Sequence, residues 1–216
     1  MPRNSVFLEA LGPDAARLRP EVYEYVAGPA ATPQSTGAHG VGEGVFEIAG
    51  ARFGRLMTLL RPFVGRDLLM TRIDRNVPFT IVNTPAVGAD GRMRLEALRT
   101  FHFSDGPQQF RDVLEAGDSP GTLINYLGAS RRLCLVLTCV ASPQGNLVIS
   151  SRSTHVRVGG TRMRLPRLLG VSAHVEDGYD SKRHRRTIDV VIKNPIVGVV
   201  MQYRGWFQYR YVDGRP

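Results

Sequence analysis

From Val77 to Val212 the sequence alternates apolar runs of strand length with short turn signals, and that succession leaves few folds open. VPFTIVNTPAV and MRLEALRTFHF flank GADGR, whose Asp90 and Gly91 form a strong hairpin signal. FRDVLEA and TLINYLG are shorter strands separated by GDSPG, and LCLVLTCVA and NLVISSRSTHVRV flank SPQG. VSAHVEDGYD and RTIDVVIK make a third hairpin around DGYDSK, and VVMQYRGWFQYRYV is the final strand. Runs joined this way imply an antiparallel meander. A meander of roughly eight strands must close, stack on itself or leave an edge that recruits other chains. Closure around a cavity is the expected solution: an α+β chain, mostly antiparallel β, forming a strongly curved sheet or β-barrel, lipocalin-like or helix-grip-like, with N-terminal helices.

Upstream, Leu18, Val22, Tyr25 and Val26 repeat at helical spacing and predict one helix between Asp14 and Val26. Gly28 to Gly44 is rich in Gly, Pro, Ser and Thr and reads as a loop before a strand at Val45 to Ile48. ARFGRLMTLLRPF then places Phe53, Leu56, Met57, Leu60 and Phe63 on one helical face, with Pro62 as the stop. No internal repeat and no Gly/Ser linker divides the chain. The expected organisation is a single β-rich domain over 1–216, with N-terminal helix and loop at 1–40, strand and amphipathic helix at 41–64, and the meander at 77–212.

Composition narrows the function classes. With 43% hydrophobic and 22% charged residues in 216, the chain is ordinary globular protein. No run approaches the roughly 18 apolar residues of a membrane span, and the first residues lack a signal-peptide core, so cytoplasmic residence is expected. Cys134 and Cys139 are five apart in one strand, which points them to opposite faces and predicts buried free thiols. The net charge of +9 is carried almost entirely by arginine, Lys182 and Lys193 being the only lysines. Charge of that kind is weak support for nucleic-acid binding, and it argues for no such partner by itself.

The spacings that name common chemistries are missing. No Walker A loop is present, and GVGEG at Gly40 to Gly44 precedes a strand where a dinucleotide fingerprint must precede a helix. No GxSxG elbow occurs. The five histidines stand singly, without ligand spacing, so no metal and no cofactor is expected. What remains is polar residues inside apolar strands, each of which needs a partner, a water or a ligand if it faces a barrel interior. His155, the pair His174 and Glu176, and Tyr203 are the acid/base candidates. Arg99, Phe101, Arg152, Arg204 and Trp206 are the ligand-binding candidates. In the last strand Met201, Tyr203, Phe207, Tyr209 and Tyr211 share one face, and Arg204, Trp206 and Arg210 the other. RLPRLLG, Arg164 to Gly170, interrupts the strands as a candidate lid or portal, and the run Lys182 to Arg186 reads as a solvated hairpin tip.

The pairing of LPRLLG with NPIVGVVMQYRGWF, with RTFHF and LGPDAARLRPEV upstream, resembles the bacterial family named domain of unknown function 4166. That family occurs alone and fused to other domains, including reductase-like ones. The resemblance implies Pro166, Gly198, Tyr203, Arg204, Gly205 and Trp206 as shared motif positions, with Arg99 and Phe101 of the RTFHF strand, and implies no reaction. The chain departs from the pattern in RLEALRTF, which lacks a tryptophan before the arginine.

Three readings follow. The first is a binding module holding a hydrophobic or amphipathic small molecule, such as a lipid, polyketide or terpenoid, in the barrel. The second is a cofactor-independent cyclase, isomerase or dehydratase using the same cavity. The third is association with an anionic membrane or nucleic acid through the arginine-rich face. A homodimer is left open.

Overall fold

A computed structural model of the chain describes residues 5–29, 37–54, 59, 62, 65–88, 90–159 and 161–214. The strands are β1 (His39–Gly50), β2 (Ile73–Val87), β3 (Met93–Phe103), β4 (Gly106–Ala116), β5 (Thr122–Leu127) and β6 (Leu133–Ala141). They continue as β7 (Leu147–Val158), β8 (Thr161–Arg164), β9 (Ser172–Asp180), β10 (Arg185–Asn194) and β11 (Gly198–Val212). Each pairs antiparallel with its neighbour, β11 returns to β1, and β6 also pairs with β7, so the meander closes into a barrel. Closure satisfies the backbone N–H and C=O groups that an open edge would leave bare.

One position around the barrel is shared. β8 pairs with the far part of β7, Arg157 opposite Arg162, while β9 pairs with its beginning, Leu147 opposite Asp177. The RLPRLLG segment fills the interval between them. There Thr154 stands in for a missing ladder bond: its Oγ1 donates to the Val171 carbonyl at 3.0 Å and accepts from the Val171 N–H at 2.9 Å. Opposite, the β6–β7 register steps from Ser153 to Ser151, leaving Arg152 as the extra, exposed residue of a bulge.

The inward face is set by period-two alternation. Phe46 of β1 stacks on Phe79 of β2 with centroids 3.7 Å apart, and lies 5.2 Å from Phe101 and 4.9 Å from Tyr203. Phe46 and Phe101 are fully buried. This aromatic layer fills part of the barrel. Cys139 joins the inner core while Cys134 faces outward, and both are buried and free, as their spacing predicts.

Two local expectations need correction. The N-terminal helix is not continuous from Asp14: α1 (Val6–Leu11) leads into a 3-10 turn at Gly12–Arg17, and α2 (Pro20–Val26) begins at the proline. Pro20 lacks the N–H a longer helix would need and fits the first turn of a new one. Strand β1 begins at His39, not Val45, so Gly40, Gly42 and Gly44 are strand residues. A Cβ at Gly40 would sit 1.7 Å from the Tyr209 hydroxyl, and one at Gly44 would sit 2.0 Å from the Trp206 carbonyl. Here glycine makes room for a neighbouring strand's side chain and backbone instead of a turn. The expected amphipathic helix at 51–63 falls mostly outside the described residues.

The N-terminal elements cover one end of the barrel. Val22 and Val26 are fully buried, the Asp14 carboxylate accepts the Ala141 N–H at 2.6 Å, and the Ala10 carbonyl accepts the Gly121 N–H at 2.7 Å. The hairpin turn at 195–197 and the RLPRLLG segment lie at the other end.

Candidate functional site

Beneath the N-terminal helices the barrel holds a cavity of about 110 Å³, bounded by strand residues together with Phe7 of α1 and Tyr25 of α2. Its wall is mostly aliphatic and aromatic, with Leu114, Leu135, Ile149, Val190 and Phe207 among its members. Pockets for drug-sized ligands run from about 300 to 1,000 Å³, and a cavity near 150 Å³ takes a benzene ring. The space as it stands is smaller than either.

Three adjacent strands place polar groups on one side of this cavity. Arg99 of β3 is ion-paired with Asp112 of β4, and Asn125 of β5 donates its Nδ2 to the second Asp112 oxygen at 3.1 Å. Asp112 is 3% exposed. Burial works against the Arg99 charge, but Asp112 beside it, together with Tyr203 and Tyr25, outweighs that cost and holds the guanidinium firmly protonated. Because a carboxylate cannot donate, the Asn125 amide can point only its NH₂ at Asp112, which leaves Oδ1 buried without a partner among the described residues. Tyr203 of β11 reaches the same cavity, and burial raises its phenol so that it is a donor at neutral pH.

A second buried pair lies towards the helices. Arg186 is ion-paired with Asp177, both side chains under 10% exposed, donates to the Glu21 carbonyl at 2.8 Å and stacks over the Tyr25 ring at 4.0 Å. Burial pushes the Asp177 carboxyl up, and Arg186 pulls against it. Burial also raises the Tyr25 phenol to about 12.

The sequence-predicted residues divide between the two faces. Arg99 and Tyr203 line the cavity, and Phe101 packs in the aromatic layer. Arg204 is 61% exposed outside the barrel, 3.7 Å from Glu47, and Trp206 lies outside beneath Arg185 at 4.6 Å. His174 is exposed, with Nδ1 3.0 Å from Ser150 Oγ, and Glu176 accepts from Asn146 Nδ2 at 2.7 Å on the same outer surface. His155 sits on the outer face of β7 opposite Cys134 and Arg164, where burial, Arg162 and Arg164 lower its pKa. Arg152 projects from the bulge. The structure therefore does not bring the histidines and Glu176 to the cavity.

Asp112, Asn125, Asp177 and Arg186 were not read from the sequence. Strand parity carried the signal for two of them: Asp112 continues the inward series of Phe110 and Leu114, and Asp177 continues Ala173 and Val175. Arg186 belongs to a run whose charge predicts a solvated hairpin tip, yet it is 6% exposed.

Residues 31–207 match the family described as domain of unknown function (DUF4166). The chain belongs to this family. It is also 32% identical over 163 residues to the uncharacterized protein YndH of Bacillus subtilis (strain 168), a match spanning 75% of this chain and 78% of that protein. Of the positions the resemblance implied for DUF4166, Tyr203 and Arg99 face the cavity, Phe101 the core, and Arg204 and Trp206 the outside. Among the described residues no helix is long and apolar enough to cross a membrane, and no group of three or more His, Cys, Asp or Glu could hold a metal ion.

Proposed function

We propose that this DUF4166 protein binds a small, largely apolar organic molecule in its barrel, with a single polar group directed at Arg99, Asp112 and Asn125. The observation that carries this reading is the buried, unpartnered Asn125 Oδ1 on a residue lining a mostly apolar cavity. A buried acceptor without a donor costs about 1–3 kcal/mol, and a guest hydroxyl or N–H would relieve it. The charge balance of the wall argues for a neutral head group. Arg99 is neutralised by Asp112 and Arg186 by Asp177, so a carboxylate would meet no net positive charge. The exposed Arg152 and Arg204 are too far outside to supply one.

The test is mass spectrometry of organic extracts of the purified protein, joined to thermal-shift titration with small neutral donors such as phenol and indole. A co-purifying neutral guest, or a saturable rise in Tm abolished by a cavity-filling Val190→Phe, supports the reading. Empty extracts together with no shift from any small donor would refute it.

A cofactor-independent enzyme in the same cavity is the second reading, and the cavity-facing Tyr203, kept protonated by the burial that raises its phenol, favours it as a hydrogen-bond donor to a developing oxyanion. Tyr203→Phe would then abolish turnover of the identified guest while leaving its affinity within about threefold. Unchanged turnover would remove Tyr203 from the chemistry.

A further inference from the structure

The two segments that the family motif pairs, LPRLLG and NPIVG, meet in space and are stitched by one side chain. Asn194 Nδ2 donates to the Leu168 carbonyl at 2.9 Å and to the Gly170 carbonyl at 2.7 Å. Its Oδ1 accepts the Ile196 and Val197 N–H groups at 2.9 and 3.1 Å. Within the first turn, the Pro166 carbonyl accepts from both Leu169 and Gly170 at 3.0 Å. The β8–β9 connection and the β10–β11 hairpin turn are thereby fixed as one surface.

That surface is apolar where solvent reaches it. Leu168 is 60% exposed, Leu169 and Ile196 67% each, and Val197 39%. Four large aliphatic side chains held out at a barrel end are an interaction site, because isolated exposed residues are ordinary but a contiguous, rigidly presented group is not. The chain on either side of its two turns is cationic. Arg162, Arg164, Arg167 and Lys193 are exposed and take part in no ion pair among the described residues. No aspartate or glutamate occurs from Ser151 to Val175 or from Val190 to Val212.

We propose that this end of the barrel docks on an anionic lipid surface. Leu168, Leu169, Ile196 and Val197 enter the boundary between head groups and acyl chains, and the four cations meet the lipid phosphates. Apolar insertion combined with charge attraction is the general route to peripheral binding, and each cation near the surface strengthens partition about fivefold. Charge alone would fit nucleic acid equally well, but four aliphatic tips would be idle against a phosphate backbone. The proposal is independent of the cavity and of what it holds.

The experiment is co-sedimentation of the full chain with vesicles of phosphatidylcholine, with and without about one-third phosphatidylglycerol. Binding to the anionic vesicles at low salt, weakening as salt rises, is expected. Leu168→Ser combined with Leu169→Ser should lower it by at least about tenfold with an unchanged circular dichroism spectrum. Asn194→Ala should weaken it by releasing the two turns from each other, and Arg183→Ser, which removes an exposed charge at the opposite end, should leave it as it was. Absence of binding, equal binding to neutral vesicles, or a double-serine variant that binds as the parent overturns the proposal. So does duplex DNA that competes fully and binds the double-serine variant undiminished, which would assign the charge to nucleic acid.

Discussion

The two ends of this barrel solve opposite problems. One is sealed by the N-terminal helices through buried charge, with Arg186 joined to Asp177, the Glu21 carbonyl and the Tyr25 ring. The other ends in turns whose apolar side chains point away from the protein, and its polar groups are spent holding those turns together through Asn194. The difference teaches that burial of charge here marks closure, and exposure of apolar groups marks contact with something outside.

If so, damage at the two ends should be very unequal. Arg186→Ala leaves Asp177 buried and alone, and should cost about 3–5 kcal/mol in urea denaturation. Replacing both partners, Arg186→Met with Asp177→Leu, should recover most of that loss. Arg99→Ala breaks a pair whose guanidinium is less deeply buried, 17% exposed against 8% for Arg186, so a smaller loss of about 1–3 kcal/mol is expected. Equal losses at Arg99 and Arg186 would erase the distinction between the more and the less deeply buried pair. Asn194→Ala should cost about 1 kcal/mol and speed hydrogen exchange at the Ile196 and Val197 amides, with the helix end unaffected. Leu168→Ser with Leu169→Ser should change stability by less than about 0.5 kcal/mol, since neither side chain is buried.

The sealed end should also carry an acid sensitivity. The Ala141 N–H holds the Asp14 carboxyl below its ordinary range, against the opposing effect of burial. Its contribution is present above the unfolded carboxylate pKa of about 3.9 and is lost as pH falls through the lower folded value. Asp14→Asn should therefore lower Tm a little at neutral pH, where that contribution is present, and flatten the fall of Tm below about pH 4.

The frame was legible in the sequence because hairpin signals are local: Asp90 and Gly91, or the SPQG turn, fix their strands without reference to anything distant. The end caps were less so. Gly40, Gly42 and Gly44 read as loop because a glycine's usual role is a turn, whereas here the room they leave is taken by Tyr209, Ile81 and the β11 backbone. Alternation told which residues of β11 share a face, but it carries no label for inside. Trp206 and Arg204 were chosen for their chemistry, and the barrel curls the other way, round Tyr203 and Phe207. Asp112 and Asp177 sit in phase with apolar residues, where a charge is rare enough to be a stronger pointer than any exposed histidine.

The shared position beside β7 gives the molecule a variable port in a fixed frame. β8 and β9 occupy one edge in succession, so lengthening or shortening the interval between Leu165 and Val171 would shift the register of no other strand. What the barrel presents to the outside there is set by that interval alone, while the same ring of hydrogen bonds keeps guarding the same interior.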